Sequence, residues 1–370
     1  MALTNLSLLT DHQKKAWSMS FWSQARNNSF LDKFTGTGPN SMIQRVTELT
    51  KSKKGNKAIL TLVADLVGDG VVGDRTLKGN EEALSQDEID IRYDQMRNAN
   101  KTEGKMAEQK TIVQFREQSR DKLSYWLGDR LDQLGFLTLS GRAYTLTNNG
   151  ATRVGSDLPY LEFAADVTAP TSKRVVRWNG TTKGVVENGA TSAVTTADTP
   201  MWELFIQLKA MAKDNYIRGF RANGAEETFK AFLTPQGMAK LKLDPTYMLN
   251  LRHAVKRAES NPLFTGETVE IDGIQLYEFR HVYNTSGAAS GSKWGVDGTV
   301  EGFQLLFCGA QALAMADIGN PEWVEEDDDY ENQMGIAISK MVGFRKPRYK
   351  SIYANNTTQD FGVISAYCAQ

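Results

Sequence analysis

The chain has 370 residues, 41% of them hydrophobic, with 43 basic against 44 acidic side chains and a formal net charge of -1. That length exceeds what one hydrophobic core usually fills, so two or more lobes are expected. The balanced charge excludes a dedicated nucleic-acid clamp, no apolar run is long enough to span a bilayer, and the two cysteines, Cys308 and Cys368, exclude a disulfide-built secreted fold.

The opening Met1-Ala2-Leu3-Thr4-Asn5-Leu6 lacks the basic-then-apolar order of a secretory leader, so the chain is read as made and kept in a cytoplasm, away from membranes. Residues 1–56 set single large side chains, Trp17, Phe21, Trp22, Phe30, Leu31 and Phe34, among polar ones, with periodicity only for a short helix near residues 11–24. Burying each would contribute roughly 1.5–3 kcal/mol, which a loose terminus cannot obtain from itself. This arm therefore needs another surface, in its own chain or in a neighbour's.

Ala58 to Leu66 reads as a strand, as does Glu88 to Asp94, where Ile89, Ile91 and Tyr93 alternate with charges, and the two are expected to pair antiparallel. Between them Gly68, Gly70 and Gly73 satisfy G-x-G-x-x-G after a strand, which admits a dinucleotide cradle as well as the pliable tip of a long hairpin. A cradle requires the third glycine to open an apolar helix whose N-terminus binds pyrophosphate. Here Asp74-Arg75-Thr76-Leu77-Lys78-Gly79-Asn80-Glu81-Glu82 follows instead, and Asp69, Asp74, Glu81 and Glu82 would repel phosphate. The segment is too long for an ordinary hairpin turn, which points to a projecting, functional loop.

From Lys105 to Leu134 apolar residues recur at near-helical spacing with Gly135 as the stop, which predicts one helix on the order of 45 Å long. Residues 138–198 read as irregular β structure, with short strands at Tyr160 to Phe163 and Arg174 to Trp178. A helix is expected from a Thr199-Pro200 cap through Trp202 to Met211, then a strand at Thr228 to Leu233. Helices should open at Thr234-Pro235 and Asp244-Pro245, the second ending at Asn261-Pro262, before a tight hairpin over Val269 to Tyr277 with an Asp272-Gly273 turn. A strand at Phe303 to Phe307, a short helix from about Ala310, an element over Met334 to Met341 and a strand near Phe361 to Tyr367 close the chain. Strands and helices interleave without a βαβ rhythm, so the fold class is α+β.

Charge is sorted locally into basic clusters at Lys51, Lys53, Lys54 and Lys57 and at Arg345, Lys346, Arg348 and Lys350, and an acidic run at Glu325-Glu326-Asp327-Asp328-Asp329. Sorted patches on a neutral chain suit protein contacts. His12, His253 and His281 have neither a serine elbow nor metal-ligand spacing, and the acidic run lacks the alternate spacing of a calcium loop. No catalytic, cofactor or metal site is expected.

The order of parts is aromatic arm, long polar hairpin, strut helix, β-rich middle, compact α/β lobe and closing strand. It resembles a tailed-phage major capsid protein of the Hong Kong 97 type, in particular the family typified by the N-four podophage. The resembling segments are Lys33-Phe34 with Gly36 and Asn40-Ser41-Met42-Ile43-Gln44; Gly70-Val71-Val72-Gly73-Asp74 with Leu77; and Gly79-Asn80-Glu81-Glu82. Further along they are Met106 with Gln109, Asn261-Pro262-Leu263-Phe264-Thr265-Gly266, Gly309-Ala310-Gln311-Ala312, Asp329-Tyr330 and Asp360-Phe361-Gly362-Val363. They cover the chain nearly end to end; the Thr/Gly-rich tract near 179–199 departs from the pattern.

The resemblance implies an arm over 1–56, an extended loop over 57–97, a peripheral domain over 98–199 with a spine helix at 105–134, an axial domain over 200–335 and return strands over 336–370. Function is then self-assembly as pentamers and hexamers into an icosahedral virion shell around packaged double-stranded DNA, contacted without sequence preference. Assembly would occur in the host cytoplasm with portal, scaffolding and decoration proteins as partners. Expected intersubunit contacts are the loop tip (Gly68, Gly70, Gly73, Asp74, Arg75, Lys78, Asn80, Glu81, Glu82), the charge patches at 325–329 and at Arg345, Lys346, Arg348 and Lys350, and the arm anchors Trp17, Phe21, Trp22, Phe30 and Phe34. A cellular nanocompartment shell shares the fold and is the nearest rival; a nucleotide-binding enzyme through Gly68, Gly70 and Gly73 and a tail or baseplate protein are further alternatives.

Overall fold

The structure, a computed structural model, describes residues 11–47, 55, 57–63, 66, 68–83, 86–106, 115–221, 227–254, 269–330, 332–351 and 357–370. Helix α1 (Asp11–Asn28) leads through a 3-10 turn to the short strands β1 (Thr35–Gly36) and β2 (Ile43–Val46). Strands β3 (Ala58–Val63) and β4 (Gln86–Ile91) form the expected antiparallel pair, with Ala58 opposite Ile91 and Val63 opposite Gln86. Strand β5 (Asp94–Lys101) precedes the long helix α2 (Phe115–Ser140). The middle holds 3-10 turns and the strands β6 (Val175–Asn179) and β7 (Gly184–Glu187).

Next come α3 (Trp202–Asp214), β8 (Phe229–Leu233), α4 (Pro235–Leu243), α5 (Pro245–Ala254), and the hairpin of β9 (Val269–Ile271) and β10 (Ile274–Glu278). Strands β11 (Gly302–Cys308), β12 (Leu313–Asp328), β13 (Gln333–Arg345), β14 (Arg348–Ser351), β15 (Thr357–Asp360) and β16 (Val363–Ala369) close the chain. A five-stranded sheet runs β1-β2-β12-β13-β5 and a seven-stranded one β7-β6-β16-β11-β8-β10-β9, which bears out an α+β class.

Helix α2 and the arm cover the five-stranded sheet, while α3 and α4 bury their apolar faces with Phe229, Leu233, Phe303 and Phe307 of the other sheet. The sheets cut across the expected domain borders: β12 falls inside residues 200–335 yet belongs with β5 and β13, and β6 and β16 lie outside that range yet build the second sheet.

Several expectations need correction. Helix α2 does not stop at Gly135 but runs to Ser140. The glycine is there for space: a Cβ at Gly135 would sit 2.3 Å from the Leu31 side chain, and one at Gly128 would sit 2.9 Å from the Ala25 carbonyl, because the arm lies hard against this face. Helix α3 opens at Trp202 after Met201, without a side-chain cap, so Thr199-Pro200 does not start it. Tyr160 to Phe163 lies in two 3-10 turns rather than a strand. No helix follows Ala310; Gln311 turns with φ +54° and strand β12 begins at Leu313.

Both proline-led helix starts, at Pro235 and Pro245, and the Asp272-Gly273 turn are found as read. Thr234 caps α4 by accepting from Gly237 N at 3.1 Å ahead of Pro235, and Asp272 (φ +47°) with Gly273 (φ +74°) makes the turn between β9 and β10. The expected stop at Asn261-Pro262 lies outside the described residues.

Candidate interaction surface

The hairpin of β3 and β4 has one dry face and one wet face. Ala58, Leu60 and Ile91 bury themselves with Val46, Ala314 and Ala316, whereas Ile59 and Val63 point to solvent. Beyond Val63 the described residues of the loop, 66 and 68–83, are exposed except the half-buried Val71, with Val72 78% and Leu77 60% accessible.

Its internal bonds are few. Glu82 accepts from Gly68 N at 2.7 Å, Glu81 from Gly79 N at 2.7 Å, and Asn80 donates to Thr76 O at 2.9 Å. Gly70, Gly73 and Gly79 hold φ of +71°, +70° and +90° with open space where a Cβ would be, so backbone conformation alone requires glycine there. Gly73 and Asp74 form a turn, and no helix follows the third glycine among the described residues of the loop, so the helix N-terminus on which a dinucleotide cradle relies does not stand behind it. Asp74, Arg75 and Lys78 are all exposed here.

Within the chain, four of the arm anchors, Phe21, Trp22, Phe30 and Phe34, pack against its own body. Phe21 is buried 6.2 Å from the Trp323 ring, and Trp22 is buried beneath the Lys340 ammonium at 4.4 Å. Phe30 stacks on Phe279 at 4.1 Å, and Phe34 meets Phe232 edge-on at 5.2 Å. The side chain of Trp17 lies outside the described residues. Asp132 of α2 locks the arm: its carboxylate accepts from Ser29 Oγ at 2.7 Å, Phe30 N at 2.8 Å and Leu31 N at 3.0 Å. Burial pushes the Asp132 carboxyl above the ordinary range, and the three donors only partly offset it.

The charge patches are narrower than their sequence. Glu325 is buried, not exposed: Arg116 grips it through two bonds of 3.0 Å and Trp323 Nε1 donates at 2.9 Å. Lys346 is likewise buried, donating to Asp360 at 2.9 Å, and Arg348 Nε reaches the same carboxylate at 2.6 Å. Arg345 bonds the Asp90 carbonyl and lies 3.7 Å from Asp166. Glu326, Asp328, Asp329 and Lys350 remain exposed and Asp327 is half-buried, with Asp328 paired to Lys101 at 2.7 Å. Lys51, Lys53 and Lys54 lie outside the described residues.

Three of the resembling segments meet at one junction between the sheets. The Asn40 side chain bonds the Arg221 backbone in both directions, at 2.7 and 3.1 Å, and Gln311 N donates to Ser41 O at 2.8 Å. Gly309 N donates to Gly362 O at 2.8 Å, and a Cβ on Gly309 would lie 2.2 Å from the Arg218 carbonyl. The residue types are legible in sequence, but segments 36–44, 309–312 and 360–363 give no sign there that they touch. Among the described residues no three His, Cys, Asp or Glu side chains are grouped to hold a metal, and no helix is long and apolar enough to cross a membrane.

A family model described as phage capsid protein matches residues 5–370. The major capsid protein of Pseudomonas phage KPP25 is 56% identical over 366 residues, covering 99% of this chain and 97% of that one. Among solved structures, the capsid of Ralstonia phage GP4 superposes with a TM-score of 0.74 at 22% identity over 92% of this chain and 91% of its own. The capsid of cyanophage Pam1 gives 0.71 at 19% identity over 99% of both chains. At those identities the superpositions speak for the fold, which is the Hong Kong 97-like one.

Proposed function

The chain belongs to the phage capsid protein family, as a major capsid protein that forms the icosahedral shell of a tailed phage, and on that premise we propose that its copies join as pentamers and hexamers chiefly through the hairpin. The supporting observation is the loop at 68–82: glycine-tipped, exposed except at Val71, carrying bare Val72 and Leu77, and flanked by the exposed Ile59 and Val63 of β3. Laid on a neighbour around a closed ring, it would bury that surface in every subunit. The three positive-φ glycines give it the pliability that five-fold and six-fold settings both demand.

The five-stranded sheet with α2 is the peripheral body, and the seven-stranded sheet with α3 and α4 the axial one, meeting its copies around the symmetry axes. Near-neutral charge suits a lumen that holds double-stranded DNA without trapping it by counterion release. The role is structural, without catalysis or cofactor, and assembly takes place in the host cytoplasm with portal, scaffolding and decoration proteins. Expression of the chain followed by negative-stain microscopy tests this: closed shells are expected, and monomers or open tubes would refute it. A nanocompartment shell is disfavoured because the relatives described above are phage capsid proteins.

A further inference from the structure

A cleft of about 370 Å3 opens at the foot of the hairpin, lined by Val63, Arg174, Lys213, Tyr216, Lys350 and Asp360 among others. Its chemistry is unbalanced. Two cations, Lys346 and Arg348, share one buried carboxylate, Asp360; Arg174 bonds the backbone carbonyl of that residue, and the exposed Lys213 and Lys350 add two more positive charges. Arg221 on the rim is matched by Glu227 at 2.6 Å and leaves that excess unchanged. Arg174 is 5% exposed; its Nε donates to Asp360 O and its Nη2 to Asn215 O, both at 3.0 Å, while its Nη1 has no acceptor among the described residues. A buried guanidinium with a spare donor beside surplus positive charge calls for an oxyanion. The apolar wall of Val63, 56% exposed, and Tyr216, 60% exposed, calls for an apolar or aromatic group beside it.

One segment of this chain carries both. At the end of β12 and the turn into β13, Glu326 and Asp329 are exposed carboxylates, and Tyr330 is a fully exposed large aromatic with nothing against it among the described residues. Asp329 and Tyr330 hold φ of +51° and +54°, the left-handed region that such residues seldom occupy, steadied by Asn332 donating to Asp329 at 3.2 Å. The hairpin tip is the poorer match: Glu81 and Glu82 are turned back onto Gly79 N and Gly68 N, and Arg75 and Lys78 offset Asp69 and Asp74. The turn cannot fill the cleft of its own subunit. That cleft adjoins the junction where Ala310 N meets Arg218 O, and the sixteen-residue β12 carries the turn about 50 Å away from it.

We propose that the cleft receives the Glu326–Tyr330 turn of a second copy, with a carboxylate against Arg174, Lys213 and Lys350 and the Tyr330 ring against Val63 and Tyr216. The proposal rests on the self-assembly reading and adds a named contact to it. Cysteine pairing in assembled particles tests it, since a disulfide forms only where Cα atoms come within about 7 Å. Both native thiols are buried and pushed up by burial, Cys308 to about 12, so the wild-type chain is a silent background.

Oxidised particles of the double variant Tyr330→Cys with Lys213→Cys should run as covalent multimers on a non-reducing gel, and neither single variant should. Particles that form without cross-links overturn the proposal. So does a ladder from Tyr330→Cys alone, which means turn meets turn, or from Gly73→Cys with Lys213→Cys, which gives the cleft to the hairpin tip. Should the cysteine pair prevent assembly, a charge exchange decides. Lys213→Glu with Lys350→Glu should lose particle yield and Glu326→Lys with Asp329→Lys should restore it; no restoration counts against the contact. Absence of shells from the wild-type chain would instead sink the self-assembly reading itself.

Discussion

Replacing Asp132 with alanine should detach the arm from α2. The substitution strands Ser29 Oγ, Phe30 N and Leu31 N, donors on an arm where Ser29 is 6% and Leu31 4% exposed. A buried donor left without a partner costs about 1–3 kcal/mol, so three would cost roughly 3–9 kcal/mol before relaxation. The hydroxyl can rotate, and removing a carboxylate that is itself costly to bury returns part of the loss, which leaves a net destabilisation of about 2–5 kcal/mol.

Urea unfolding at neutral pH should show a lower midpoint, and hydrogen exchange should lose protection first at Phe30 and Leu31. The pH dependence has a definite sign. With its folded pKa raised above the ordinary 3.8, Asp132 binds more protons folded than unfolded, so its contribution falls as pH rises from 3.8 through the raised value. The alanine variant should lack that slope. An unchanged midpoint with unchanged protection at both amides would refute the locking role.

Deleting residues 69–82 should leave subunits that fold but assemble poorly; normal particle yield would remove the loop from the assembly account. Gly73→Val forces a β-branched residue to φ +70° at a strain of about 1–2 kcal/mol, which the free loop relieves by moving, so melting should hold while particle yield drops. Gly128→Val drives a side chain into the Ala25 carbonyl and should destabilise the subunit by about 1–3 kcal/mol, read in the same urea assay. Glu325→Gln weakens the paired bonds from Arg116 and should cost about 1.5–3 kcal/mol of stability, whereas Glu326→Lys, on the exposed side of the same strand, should leave the midpoint alone and act only on assembly.

The local elements were readable because their chemistry is local. Thr234-Pro235 announces a capped helix, Asp272-Gly273 a tight turn, and the alternation of Ile89 and Ile91 a strand with one dry face, although that strand ends at Ile91, short of Tyr93. Where reading failed, a distant contact had overridden a local signal. Gly135 has the sequence of a helix stop, yet Leu31, more than a hundred residues earlier, needs its space. The apolar residues around Ala310 look helical in isolation, but Leu313 is held by Met42 O and strand β2 in a parallel pairing that nothing nearby encodes.

The acidic run gave the same lesson on the candidate surface. On a strand alternate residues face opposite ways, so Glu325 turns inward to Arg116 while Glu326 stays out, and the five acids do not act as one patch. The arm could be placed on a partner from its aromatics, but whether that partner was its own chain depended on Asp132 and Phe279, which only the folded chain brings to it.

The decisive measurement is a high-resolution cryo-electron microscopy reconstruction of particles assembled from this chain. The account predicts closed icosahedral shells in which residues 68–82 lie on an adjacent subunit, with Val72 and Leu77 buried there, while Phe21, Trp22, Phe30 and Phe34 stay on their own α2 and β12. Shells whose loops stand free in solvent, or whose arms are exchanged between subunits, would contradict it.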